Sequence, residues 1–380
     1  MQIKVKTTYA FLIIATLASF TGSLLWIQTH YFNPESVQIV IRRKQKEPMQ
    51  FEKIKRPIPD PVSMDRLKKQ GCVTDGLLSE YNPDREQYIG LINRSNCYYL
   101  HRAVETWMTP PDFETIDYVI NRITKKDIVY GMFIAEALKE NANYFYPNEN
   151  RYFDFSKMCQ AESENTWGEH SCKADFGSGE YRAYIKYITQ RAIDLGIQSF
   201  TFGQIHFQRG GGGDKISDII KEMRSYAKKK KTNIIIGAQT GTITDPKFIS
   251  LFDYIEGGTG IDENGNLPEG PCLDRWGGCW ALLWNERYSR NAKNVLLHLD
   301  WTGIKSDDLD TFARMDQKNR TETLNNLYSY FTSRNMGFLM PLFGVLDKEN
   351  GGCYGPKKRF YSPDNAYSCK DEDAINTIIK

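Results

Sequence analysis

One long apolar run near the N-terminus and a later alternation of short apolar runs with amphipathic segments dominate the hydrophobic pattern of the 380-residue chain. The run from Tyr9 to Ile27 contains no charged residue and follows Lys4 and Lys6. At about 1.5 Å of rise per residue, a helix of this length crosses the hydrocarbon core of a bilayer. The pattern predicts a cytoplasmic tail over residues 1–8 and a transmembrane signal anchor over residues 9–28.

A cleaved signal peptide is the alternative for this N-terminal segment. Ser19, Gly22 and Ser23 are small enough for a processing site. The apolar run continues past them through Leu24 to Ile27, which favours an uncleaved anchor. The short basic N-terminal side is expected in the cytoplasm. The rest of the chain is therefore expected on the other side of the membrane, in the periplasm, the cell exterior or a lumen.

Residues 29–84 show little apolar periodicity, and their first part is rich in proline, which predicts a stalk or linker. From residue 85 to 380, strand-like and helix-like patterns alternate. Helices are predicted over Asp112–Lys125, Glu180–Leu195, Asp214–Lys231 and Arg314–Arg334. Strands are predicted over Gln87–Ile92, Asp127–Ala135, Ser199–Phe207, Asn233–Gln239, Tyr254–Gly257, Asn294–Asp300 and Gly337–Phe343.

Alternation of this kind indicates parallel strands joined by helical crossovers. Seven strands over this length favour an α/β (β/α)8 barrel of the TIM type, with the eighth strand expected near Lys157–Cys172. A doubly wound open sheet is the alternative. It would predict a glycine-rich nucleotide fingerprint after the first strand, and the sequence contains none there.

Charge and cysteine content narrow the class of protein. The net charge is +2 and 25% of residues are charged, which argues against a disordered chain and against a nucleic-acid binder. All eight cysteines follow the predicted anchor, and an even number on the exported side indicates disulfides. Proximity along the chain predicts the pairs Cys72–Cys97, Cys159–Cys172, Cys272–Cys279 and Cys353–Cys369, although other connectivities remain open.

Polar side chains end most of the predicted strands. Because functional groups of a barrel come from the carboxyl ends of its strands, these residues predict a functional rim. The carboxyl groups are Glu136, Glu256 and Asp300. The neutral and basic members of the rim are Gln204, His206, Gln239 and His298.

Paired carboxylates are the usual apparatus for hydrolysis of a glycosidic bond, and flat aromatic rings pack against sugars. Trp301 follows Asp300, and Trp276 and Trp280 form a second candidate platform. Over residues 85–380 the chain resembles (β/α)8 glycoside hydrolases at the level of the clan, on the strand ends at Glu136, Glu256 and Asp300. It departs from many of them at the fourth strand, where their Asn-Glu pair is absent and Gln204 and His206 stand instead.

The resemblance implies a glycosidase that acts on a polysaccharide or glycan without a cofactor or metal, and the predicted anchor would place it at a membrane. Asp300, Glu256 and Glu136 are the expected catalytic acids. A non-catalytic carbohydrate-binding barrel is one alternative. A metal-dependent hydrolase is another, with the ligands His206, His298, Asp300 and Glu256, although no metal-binding spacing supports it. The expected partners are a carbohydrate and, through residues 9–28, a membrane, with no nucleic acid. The oligomeric state stays open.

Overall fold

The computed structural model describes residues 61–79, 84–208, 215–241, 243–267, 291–303, 305 and 307–380. Among these residues, no helix is long and apolar enough to cross a membrane. The predicted anchor, residues 29–60 of the predicted stalk, Cys272, Cys279, Trp276 and Trp280 lie outside the described ranges.

Eight parallel strands form the centre of the fold. They are β1 (Gly71–Thr74), β2 (Tyr99–Glu105), β3 (Val129–Ile134), β4 (Ile197–Phe202), β5 (Ile235–Ala238), β6 (Tyr254–Gly258), β7 (Val295–His298) and β8, which has two parts, Gly337–Phe338 and Met340–Val345. Each strand pairs with the next one along the chain.

Strand β8 joins the two edges of this sheet. Its first part pairs with β7, its second part pairs with β1, and Leu339 between them donates its N–H to the Leu297 carbonyl at 2.8 Å. The parallel sheet therefore curls round until its edges meet, as in a TIM-type barrel. The strands β3 and β4 are buried along their whole length, which agrees with their apolar composition on both faces.

Helices pack against the outside of the strands. The helix over Phe113–Arg122 illustrates the local cause. The Asp112 carboxylate accepts the Glu114 N–H at 2.9 Å, and the helix face that carries Phe113, Ile116 and Val119 is buried. The helices are α1 (Met64–Lys69), α2 (Arg85–Arg94), α3 (Phe113–Arg122), α4 (Gly179–Asp194), α5 (Lys215–Lys229), α6 (Asp308–Arg314), α7 (Gln317–Thr332) and α8 (Glu372–Ile378).

Smaller elements decorate the loops. Single-turn helices lie at Ile205–Gln208 and Pro246–Ile249, and 3-10 turns lie at Pro147–Glu149, Phe155–Met158 and Pro356–Lys358. Two antiparallel ribbons follow β3, one formed by Ala137–Lys139 with Ser171–Lys173 and one by Phe145–Tyr146 with Arg151–Tyr152. Phe360–Tyr361 pairs antiparallel with β8.

Three sequence predictions about the strands are wrong. Residues 87–92 form part of α2, because Tyr88, Ile89 and Ile92 are buried at helical spacing. The expected strand over 157–172 is a loop that carries a 3-10 turn and a ribbon strand. Strands β1 and β2 were missed, so the barrel begins before residue 85, inside the segment that was predicted as stalk.

The described cysteines form the predicted pairs. Cys72–Cys97 joins the starts of β1 and β2, Cys159–Cys172 closes the loop that follows β3, and Cys353–Cys369 staples the C-terminal region. None of the described cysteines is free. The proposed Cys272–Cys279 pair stays a prediction.

Candidate active site

A glutamate and two histidines meet inside the barrel. Glu256 lies on β6, His298 ends β7 and His101 lies on β2, and all three side chains are fully buried. The Nε2 of His298 is 2.7 Å from the Oε2 of Glu256, and the Nε2 of His101 is 3.4 Å from the same oxygen. The closure of the barrel brings His101 to its partners, because β2 is far from β6 and β7 in the sequence.

The charges of this cluster follow from its contacts. Burial alone would raise the pKa of Glu256, but the charges and hydrogen bonds of His101 and His298 outweigh it and hold that pKa well below its usual range. Burial lowers the pKa of His101. For His298, burial is outweighed by the Glu256 charge, which raises the pKa. We infer that Glu256 is an ionised carboxylate paired with a His298 imidazolium.

Hydroxyl groups below the cluster fix the orientation of His101. Its Nδ1 is 2.8 Å from the Tyr99 hydroxyl, which contacts the Ser199 hydroxyl at 2.9 Å. The Tyr254 hydroxyl lies 2.6 Å from that of Thr201 and 2.9 Å from that of Ser199. The contact of Nδ1 with the Tyr99 hydroxyl leaves the Nε2 of the imidazole directed toward Glu256.

Glu136 follows β3 and approaches the same interior. Its side chain is 1% exposed, and burial raises its pKa to about 7. Gly203 permits this placement, since a Cβ at that position would lie 2.5 Å from the Glu136 Oε2. Within the described part of the chain, the buried Glu136 Oε2 and Glu256 Oε1 have no hydrogen-bond partner. Two buried carboxyl oxygens thus lack a hydrogen-bond partner within these described residues.

Asp300 lies two residues beyond the end of β7 and is only partly exposed. Burial raises its pKa to about 7, and the charges of Asp308 and Asp307 add to this shift. Asp308 organises the surrounding loops: its carboxylate accepts the N–H of Gly260 at 2.8 Å and the N–H of Asp300 at 3.2 Å. These contacts fix the backbone of Asp300 at the mouth of the barrel.

Arg102 on β2 is a site residue that the sequence analysis missed. Its guanidinium contacts the Glu105 carboxylate at 2.7 Å and the Asp75 carboxylate at 3.6 Å. It lies 3.7 Å above the Phe133 ring and 4.4 Å above the Trp301 ring. Arg102 has a positive φ of 56°, a costly conformation for a side chain of its size. Its charge favours the ionised forms of both Glu136 and Asp300.

Three residues of the predicted functional rim, Gln204, His206 and Gln239, do not all face the acidic residues of the site. The Gln239 Oε1 accepts the N–H of Gln204 at 3.0 Å and supports a positive φ of 20° there, while the Gln204 side chain faces Glu136. Gln204 and His206 do not share a strand face as predicted, because β4 ends at Phe202 and a helical turn follows. His206 is exposed on that turn.

Trp301 is a wall of the site. It is 7% exposed, and its ring centroid lies 5.0 Å from that of His298 on one side while Arg102 covers it on another. This packing leaves little of the ring for a sugar, contrary to the sequence prediction of a platform there.

The cluster of His101, Glu256 and His298 has potential metal-ligand atoms that lie close together, as a metal site would require. Two ligands held about 2 Å from a tetrahedral cation are about 3.3 Å apart. The 2.7 Å contact between His298 and Glu256 is shorter and fits a charge-assisted hydrogen bond. His206, a ligand in the metal hypothesis, lies on an exposed helical turn outside this cluster. The donor set therefore fits an ion pair better than a metal centre.

No protein-family model matches the sequence, and no curated protein matches it. Solved structures with a similar fold include glycoside hydrolases. A cyclic α-maltosyl-(1→6)-maltose hydrolase from Arthrobacter globiformis has a TM-score of 0.49 at 11% identity, covering 84% of this chain and 77% of its own. A GH113 β-1,4-mannanase has a TM-score of 0.47 at 12% identity, covering 82% and 98%. A GH27 β-L-arabinopyranosidase from Geobacillus stearothermophilus has 0.44 at 12%, covering 73% and 72%.

Proposed function

We propose that this protein is a glycoside hydrolase that cleaves a polysaccharide or glycan with a pair of carboxyl groups. One observation carries the proposal: two glutamates in the same barrel interior have pKa values displaced in opposite directions. Glu136 is held near a pKa of about 7, and Glu256 is held ionised. A glycosidase needs one carboxyl group that can donate a proton and one that stays charged.

Glu136 is assigned as the general acid. It gives its proton to the glycosidic oxygen as the bond from that oxygen to the anomeric carbon breaks, so the leaving sugar departs as a neutral alcohol. Its buried Oε2 has no hydrogen-bond partner among the described residues, and a glycosidic oxygen that reached it would supply that partner. At neutral pH, a group with a pKa of about 7 is protonated in a useful fraction of the molecules.

Glu256 is assigned as the charged partner that acts at the anomeric carbon, directly or through a water molecule. Its Oε2 is held by the His298 imidazolium at 2.7 Å, while its Oε1 has no partner among the described residues. The same contact orients the carboxylate and keeps it ionised. Because His298 touches Glu256 and not the reacting atoms, it is a positioning residue.

Asp300 is assigned to substrate binding. Of the three acidic residues, Asp300 is the one that is partly exposed, and it follows the carboxyl end of β7. With a pKa of about 7 it exists in both forms at neutral pH, so it can donate a hydrogen bond to a sugar hydroxyl or accept one.

The proposal includes export and anchoring through residues 9–28. The apolar run in the sequence supports the anchor. The three disulfides of the described residues support an oxidising compartment, since such bonds are rare in the cytosol.

A non-catalytic carbohydrate-binding barrel is the second candidate. The near-complete burial of Glu136 and Glu256 favours it, because a reacting sugar must reach both groups. The purified full chain should be incubated with a broad glycan panel and assayed for new reducing ends. We expect release from at least one glycan, its loss in Glu256→Gln, and its retention in the exposed control Glu322→Gln. Binding of a glycan by the parent without its cleavage would favour the carbohydrate-binding function over the glycosidase function.

A further inference from the structure

Three aromatic side chains form a partly exposed cluster at the rim of the barrel. Trp107 follows β2, Trp167 lies in the loop of the first ribbon after β3, and Phe207 lies on the helical turn after β4. The ring centroids of Trp107 and Trp167 are 5.5 Å apart, and those of Trp167 and Phe207 are 5.9 Å apart. We call these three residues the rim cluster.

Hydrogen bonds attach the rim cluster to the backbone that carries Glu136. Met108, next to Trp107, donates its N–H to the carbonyl of Ala137, the residue after Glu136, at 3.3 Å. Lys173 pairs with Ala137 in the ribbon and places its Nζ 4.9 Å from the Phe207 ring. The rim cluster is therefore on the side of the site where Glu136 lies.

The backbone of the two tryptophans is braced, as a preformed binding surface requires. The Trp107 N–H donates to the Glu105 carboxylate at 3.0 Å, and the Trp167 N–H donates to the Ser171 hydroxyl at 2.8 Å. The Cys159–Cys172 disulfide closes the same loop.

Partial exposure distinguishes the rim cluster from the aromatic core, where edge-to-face contacts also occur, as between Phe176 and Phe202. Both contacts within the rim cluster are edge-to-face, with interplanar angles of 67° and 76°. In such a pair, one ring presents its edge and keeps its own faces clear of its neighbour. Core aromatics such as Phe200 and Phe202 are fully buried, whereas all three rings of the rim cluster keep some contact with solvent.

The geometry points to the rim cluster as the subsite for the sugar on the leaving-group side of the cleaved bond, an inference that rests on the proposed function. The C–H groups on a pyranose face carry slight positive charge and pack against the negative face of an aromatic ring. A general acid contacts the oxygen that stays with the leaving sugar. Because the rim cluster flanks Glu136, that leaving sugar is the one within its reach.

The test compares two kinds of substrate for Trp167→Ala and Trp107→Ala. One is a hexasaccharide of mannose, glucose or N-acetylglucosamine, whichever the parent cleaves fastest. The other is the 2,4-dinitrophenyl glycoside of the same sugar, which has no leaving sugar. We expect kcat/KM to fall at least 10-fold on the hexasaccharide and to change less than about 2-fold on the aryl glycoside. Tyr118→Ala removes an exposed ring elsewhere and should change neither value. Trp167→Phe keeps a ring and should retain most of the activity on the hexasaccharide.

Equal losses on both substrates with unchanged thermal unfolding, or no loss on the hexasaccharide, would overturn the subsite. Failure of the proposed function gives a different result, in which the parent cleaves neither substrate. The affinity for the three hexasaccharides is then measured by calorimetric titration. An affinity at least 10-fold weaker in Trp167→Ala than in the parent supports the subsite. The same affinity in both proteins, or no detectable binding to the parent, overturns it.

Discussion

Replacement of Glu136 by glutamine tests the assignment of the general acid. The swap preserves the volume of the side chain and removes the proton that the mechanism needs. A positioned general acid contributes about 10²- to 10⁴-fold to the rate, which corresponds to about 3 to 5 kcal/mol in the barrier. Glu136→Gln should therefore lose that factor on a natural glycan, whose leaving group needs protonation. It should lose little on a 2,4-dinitrophenyl glycoside, whose leaving group departs as a stable anion.

The pH profile gives a second magnitude for the same variant. With a pKa of about 7, Glu136 is protonated in about half of the molecules at pH 7, about a tenth at pH 8 and about a hundredth at pH 9. In the parent, kcat/KM on the glycan should fall about tenfold per pH unit above pH 8. The residual activity of Glu136→Gln on the same glycan should lack this limb. Asp300→Asn is the matched control, because Asp300 has a similar pKa and should leave the limb in place.

Stability offers a check that is independent of activity. The pKa of Glu136 is raised on folding, so the folded chain retains a proton that the unfolded chain releases. The stabilisation present below pH 4.5 is lost as the pH rises toward 7, and Glu136→Gln should unfold at a higher temperature than the parent at pH 8. The assignment is refuted if the variant loses the aryl glycoside as strongly as the glycan, or if Asp300→Asn alone removes the alkaline limb.

Three further predictions concern the other parts of the account. Glu256→Gln should abolish turnover and leave the glycan affinity nearly unchanged. The pKa of His298, followed by ¹⁵N NMR, should fall in this variant because its negative partner is gone, and an unchanged His298 pKa would contradict the ion pair. The double variant Cys72→Ala, Cys97→Ala should lose about 2–4 kcal/mol of unfolding free energy measured in urea, because the disulfide restricts the unfolded chain between two residues that are 25 positions apart. Equal stability of variant and parent would show that the disulfide is dispensable. Protease added to intact cells or spheroplasts should digest the exported domain and leave a small membrane-bound stub, and a fully protected domain would refute the orientation.

The carboxyl groups of the site could be predicted from the sequence because parallel strands all finish at the same mouth of a barrel. Glu136, Glu256 and Asp300 follow or end apolar runs, which makes them visible in the sequence. The partners that set their charge were not visible. His101 and Arg102 lie in YLHRAVE, a run whose charged and polar residues hide its strand character, and barrel closure alone brings them to Glu256.

The two missed strands have a shared physical cause. Strand β1 is four residues long and begins with glycine, so it lacks an extended apolar pattern. Strand β2 is buried, but its polar residues bond inside the barrel instead of facing solvent. The opposite error at residues 87–92 arose because a short run of tyrosine, isoleucine and leucine fits a strand and a buried helix equally well.

A crystal structure of the Glu256→Gln full chain with a bound oligosaccharide tests the central claim most directly. The account predicts the glycosidic oxygen within about 2.6–3.2 Å of the Glu136 carboxyl group, with the side chain of residue 256 facing the anomeric carbon. An oligosaccharide whose linkages all lie beyond the reach of Glu136, or one bound away from the carboxyl ends of β3 and β6, would contradict it.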